Sequence, residues 1–167
     1  MIINGEITSG AFGAAGELGH LQINPDEKEQ CNCGKYGHLQ QYASAEGIIS
    51  EAKKRLANSN EESILRQKDK ITAKDVFDAA KENDILALDA VRSAAKMIAR
   101  TMTFISTIID PEVYLIGGGV SKAGDFLFDE IKKQYKKFAF FASEDVKIKP
   151  AVLGNDAGIY GAVKMVI

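Results

Sequence analysis

Every cysteine and histidine in the chain falls in one stretch, residues 19–44, GHLQINPDEKEQCNCGKYGHLQQYAS. The four are His20, Cys31, Cys33 and His38. Two thiolates and two imidazoles complete a tetrahedral zinc shell, and zinc suits that mixture of sulfur and nitrogen. Cysteines one residue apart cannot build an ordinary disulfide framework. The spacing is tighter than in a zinc finger, Cys-x-Cys rather than Cys-x₂-Cys, and Gly34 and Gly37 give the backbone freedom to wrap a small ion. The competing account is two buried thiols and two surface histidines, since free cysteine is commonly buried. A closed four-ligand set is the better account of the clustering. It predicts a structural ion, because a catalytic zinc keeps one position open.

The rest of the chain has to fold around that loop. Of its 167 residues, 46% are hydrophobic and 26% charged, enough to build a core. A net charge of −2 lacks the basic footprint of a nucleic-acid binder. No apolar run approaches the ~20 residues that cross a bilayer. The opening MIINGEITSG has neither a basic start nor a long apolar run. A cytoplasmic protein with no nucleic-acid or membrane partner is expected.

Strand and helix signals alternate, which predicts an α/β layer architecture. Asn4-Gly5 between apolar residues is a hairpin signal, though hardly any strand precedes it. AFGAAGELGH reads as loop, and LQINPDEKEQ as a short strand with a turn at Pro25. A helix is expected from about Ser44, with Ile48, Ile49, Ala52 and Leu56 on one face. Thr72 and Asp75 form a capping box before Val76, Phe77 and Ala80. A long helix is predicted over residues 85–109, with Leu88, Val91, Ala95, Ile98, Met102, Ile105 and Ile109 facing the core and Asp110-Pro111 ending it. EVYLIGGGVS reads as a strand running into three glycines, followed by a helix from Ser121. VKIKPAVL alternates as a strand, and GNDAGIYGAVKMVI closes the chain as a small-residue helix.

Gly117, Gly118 and Gly119 stand between that strand and that helix. Amides there can face a bound anion, helped by the helix dipole. The segment is neither GxxxxGK[ST] nor GxGxxG. A tight turn packing a helix on a sheet explains the same glycines equally well.

In order and spacing, AAGELGHLQI, CNCGKYGHLQQYASAEGI, DPEVYLIGGGVSKAGDFL and LGNDAGIYGAVKMV resemble the C-terminal half of a ROK-family sugar kinase, nearest to the glucokinases of Gram-positive bacteria. The resemblance implies an actin-like, ribonuclease-H-like ATPase lobe with a zinc-binding loop, residues 1–167 forming a single C-terminal lobe. It implies a hexose substrate, Mg-ATP in the complete kinase, and a homodimer. The family's zinc ligands are one histidine and three cysteines; His38 stands here at the third cysteine. Glu17 and His20 match residues that hold the sugar. A second sugar-binding glutamate is matched by Gln40, which can still donate and accept but loses the strength of a charged acceptor. The glycine run matches the nucleotide-binding segment.

The resemblance also predicts what is missing. Transfer to a sugar hydroxyl needs a base for its proton and groups that hold the γ-phosphate. Family kinases carry the aspartate base, within an Asn-Asp pair, and a phosphate hairpin in the N-terminal half. That lobe is expected to be absent, and Asn83-Asp84 and Asn155-Asp156 match other parts of the family, so no catalytic base is assigned. The fragment is expected to be inactive in glucose phosphorylation. The rival expectation is a non-enzymatic sugar-sensing or pseudo-kinase module, since the family includes sugar-responsive repressors; the helix-turn-helix those carry has no counterpart in this sequence.

Overall fold

The computed structural model describes residues 1–164; Met165, Val166 and Ile167, expected to end the last helix, lie outside the described residues. A hairpin opens the chain: β1 (Ile2–Ile3) pairs antiparallel with β2 (Glu6–Ile7). Asn4 and Gly5, at φ 53° and 81°, supply the positive-φ turn that the dipeptide predicts. A long loop follows, then α1 (Gln40–Ala43) and α2 (Ala45–Ala57). Ser44 divides these helices by accepting from the Gly47 amide as N-cap of α2.

The helices α3 (Ala73–Lys81) and α4 (Ile85–Ile109) have the expected starts. Thr72 and Asp75 exchange the two bonds of a capping box. Asp110 ends α4 in the left-handed conformation at φ 50°. The covered face of α4 is wider than the expected stripe. Val91, Ala95 and Met102 are buried and Leu88 and Ile98 pack half-buried against the same core, while Ile105 and Ile109 are partly buried outside it. Alanines at 87, 90, 94 and 99, outside that stripe, are buried as well. The physical reason is that α2, α3 and α5 all pack on α4, so more than one stripe is covered and small residues admit close neighbours.

Beyond α4, β3 (Val113–Ile116) pairs in parallel with β4 (Lys147–Pro150). The helix expected from Ser121 begins later. A 3₁₀ turn occupies Gly119–Ala123, and α5 (Asp125–Phe138) starts after Gly124, whose φ of 74° breaks the helical path. A short helix, α6 (Ala157–Lys164), ends the described chain. One cluster of buried side chains, from Ile48 to Ile148, joins α2 through β4. Inside it, Ser106 lies 2.8 Å from the Tyr114 hydroxyl and 2.7 Å from that of Tyr135, tying α4 to β3 and α5. Burial pushes the Tyr114 phenol up to about 12. No helix among the described residues is long and apolar enough to cross a membrane.

Candidate metal and sugar site

The loop between the hairpin and α1 is held almost entirely by backbone and amide hydrogen bonds. A 3₁₀ turn, Leu18–His20, places His20 at its end. The chain then runs antiparallel to the segment before α1, with Leu39 N–H donating to Leu21 O, and Ile23 and Asn24 N–H to Gly37 O. An isolated bridge pairs Gln22 with His38. Between these segments the chain doubles back over the cysteines: Cys31 N–H donates to Lys35 O, and Gly34 N–H to Cys31 O.

This folding gathers His20, Cys31, Cys33 and His38, whose ligand atoms all lie within 4.8 Å of one another. Cys33 Sγ is 3.2 Å from His38 Nδ1, and the rings of His20 and His38 meet edge to face at 5.4 Å. A zinc tetrahedron built from ordinary Zn–S and Zn–N bonds has edges of roughly 3.3–3.8 Å. The donor set therefore fits zinc after a closure of about 1 Å. Cys31 and His38 are buried, while His20 and Cys33 face outward. The Cys31 thiol is held below the usual thiol range. The Cys33 backbone N–H is the main cause; burial opposes it, and the Cys33 side chain, the Gln40 amide and the Asn32 N–H add to it. A thiol biased toward thiolate is chemically prepared for a cation.

Side chains that the sequence reading passed over anchor the loop to α1. Asn24 donates to the Tyr42 hydroxyl, which donates to Glu27. Burial and the Glu27 carboxylate raise the Tyr42 phenol well above its ordinary value. Burial works to raise Glu27 as well, but the Glu29 and Lys28 amides and the Tyr42 hydroxyl donate to it and leave it below the usual carboxylate range. Gln41 accepts from His38 N–H and donates to Glu29 O. The signal available in sequence was the run Gln40-Gln41-Tyr42 directly after the last ligand.

Of the three residues expected at a sugar, Glu17 and His20 are exposed on the 3₁₀ turn, and Gln40 is half-buried. Gln40 points at the Cys/His cluster, its amide nitrogen 2.8 Å from Cys31 Sγ. A groove of ≈ 330 Å³ beside Cys31 is lined by Gln40, Gln41, Ser44 and Glu46 among others; Glu17 and His20 are not part of its lining. The three glycines are exposed, far along the chain from this loop, and Gly118 adopts φ 80° while its carbonyl accepts from the Ser121 hydroxyl.

The first Asn-Asp pair stands at the start of α4. Asn83 sits at φ 65°, and Asp84 is buried as the N-cap of α4, accepting from Ser63 Oγ, Ile64 N–H and Ala87 N–H. Those three donors make its carboxylate a joint between the Ser63–Ile64 segment and α4. Asp156 closes a 3₁₀ turn, Gly154–Asp156, that leads straight into α6.

The family model described as ROK family matches residues 1–167. A glucokinase of Halalkalibacterium halodurans is 39% identical over 165 residues, which are 96% of this chain and 50% of that protein. A solved ROK family glucokinase from Streptomyces griseus, in complex with glucose and AMPPNP, superposes with a TM-score of 0.86 at 30% identity over 98% of this chain and 55% of that one. A xylose repressor of Caldicellulosiruptor bescii is 29% identical over all of this chain and 42% of its own length. The chain spans about half the length of the curated relatives it matches.

Proposed function

The chain belongs to the ROK family and has the fold of its sugar kinases, members of the actin-like ATPase superfamily; on that premise we propose that it is the C-terminal lobe of a glucokinase, carrying a structural zinc clip. The observation that carries this reading is the convergence of four ligand atoms directly beside the Glu17–His20 turn. His20, Cys31, Cys33 and His38 would hold the zinc, which supplies order rather than chemistry because all its positions are filled by the chain. Glu17 and His20 would orient the hexose, and Gly117–Gly119 would lie against the nucleotide of Mg-ATP. The complete reaction would convert ATP and glucose to ADP and glucose 6-phosphate. The family resemblance puts the base for the sugar hydroxyl in the other half of the kinase, so the isolated lobe is proposed to be inactive, and a dimer of the complete kinase is its proposed setting.

Three measurements test this. Elemental analysis of the purified chain should find close to one zinc per polypeptide, and less than ~0.2 would reject a closed site. A coupled assay with ATP and glucose should show no turnover by this chain, while calorimetry should detect glucose. Turnover by the pure chain would overturn the assignment of the base to another lobe.

The match to a repressor over all of this chain and 42% of that protein favours a second reading, a sugar-responsive regulatory module. Binding of sugar with no binding of ATP under the same conditions would select it over the kinase lobe.

A further inference from the structure

Gln40 sits at the first position of α1, two residues after His38. Its side chain is wedged between the two halves of the loop. The amide nitrogen is 2.8 Å from Cys31 Sγ, and the amide oxygen is 3.4 Å from where a Cβ on Gly19 would stand. Gly19 precedes His20, so the one amide abuts the neighbour of one metal ligand while bonding a second.

The chemistry of the two ends matters. An amide nitrogen is a donor, and a cysteine sulfur is an acceptor. An ionised carboxylate at position 40 could only accept, and it would set a second negative charge against the sulfur. The position therefore suits a neutral donor. The ligand set has the same character: two thiolates and two neutral imidazoles balance a dication, leaving no surplus charge for a further cation to offset. A neutral N–H bond secures the sulfur without disturbing that balance.

We propose that Gln40 is a positioning residue of the metal clip: its amide N–H donates to Cys31 Sγ and fixes that sulfur beside the other three ligand atoms, so its side chain serves the metal rather than the sugar. The proposal rests on the zinc reading above. Partners of metal ligands of this kind typically change metal affinity by about 10–100-fold when removed. The bond also draws electron density from the sulfur, which a spectrum of a bound transition metal reads directly.

The test uses the whole 167-residue chain with zinc and with cobalt(II). Zinc affinity is measured by competition with a chromophoric chelator, and the thiolate-to-cobalt charge-transfer band is recorded for wild type, Gln40→Ala and Gln40→Glu. Both variants are expected to bind zinc about 10–100-fold more weakly. In Gln40→Ala the band should move to lower energy, as the sulfur regains density. Far-UV circular dichroism checks that the helices persist in each. An unchanged affinity and band in both variants overturns the proposal. So does weaker binding with an unmoved band, which would mark a merely structural effect, or a Gln40→Glu variant that keeps its zinc and binds glucose more tightly. A wild-type chain that takes up neither metal overturns the zinc reading, and the proposal with it.

Discussion

Replacing Gly37 with alanine is expected to weaken zinc binding by two orders of magnitude or more. Gly37 adopts φ +72°, and a Cβ there would lie 1.7 Å from the carbonyl oxygen of Asn24 and 2.7 Å from its carbonyl carbon. The neighbour is backbone, so no side-chain rotation relieves the clash. Retreat is blocked as well, because the Gly37 carbonyl accepts from the N–H groups of Ile23 and Asn24, the bonds that hold the two segments together. The left-handed conformation alone costs an L-residue about 1–2 kcal/mol. Adding the displaced backbone brings the total to about 3 kcal/mol or more, and each 1.4 kcal/mol is tenfold in affinity. His38, the next residue, moves with it. Gly34 is the control: it has φ +84° with nothing within 4 Å of a Cβ. Gly34→Ala should therefore lose only about tenfold. Chelator competition on the two variants checks the contrast, and equal losses would mean that the contact with Asn24 is unimportant.

Stripping the metal with a strong chelator should release the loop and leave the helices standing. The continuous core begins at Ile48; before it, only Ile23 and Cys31 are buried apolar side chains. Burying one isoleucine contributes about 1.5–3 kcal/mol. A structural zinc in small domains contributes about 10–16 kcal/mol. On the proposed zinc reading the ion would add the largest single restraint to the hydrogen bonds of residues 20–39, while α2 to α5 rest on their own packing. Limited proteolysis should move to that segment on chelation, with ellipticity at 222 nm falling by less than roughly a tenth, since stability is not uniform across a structure. A single cooperative loss of the whole helical signal would show that loop and core are one unit.

The features legible in the sequence share a property: each is set by local chemistry. The Thr72–Asp75 box, the span of α4 and the Asn4-Gly5 turn depend on a few adjacent residues, and all three are present in the structure. The ligand cluster was legible because cysteine and histidine are so scarce in this chain. The aim of Gln40 was not, since an amide is equally at home in water, at a sugar or against a sulfur. Nor was the displaced start of α5: Ser121 is a plausible cap, and only the geometry of Gly124 moves the helix on to Asp125. The extra width of the covered face of α4 has a similar origin. A periodicity reading follows large side chains, whereas a helix surrounded by three others reserves its closest contacts for small ones.

That alanine seam inverts the usual hazard of a protein interior. Where helices touch through methyl groups, truncation has almost nothing left to remove, and the vulnerable direction is growth. One added branch at Ala90, Ala94 or Ala99 would have to push apart helices rather than side chains, and overpacking of this kind is itself destabilising. The long helix is accordingly intolerant of innovation along one side, and new chemistry in this chain has room to arise in the loops around the Cys/His cluster and the glycine run, but not along that axis.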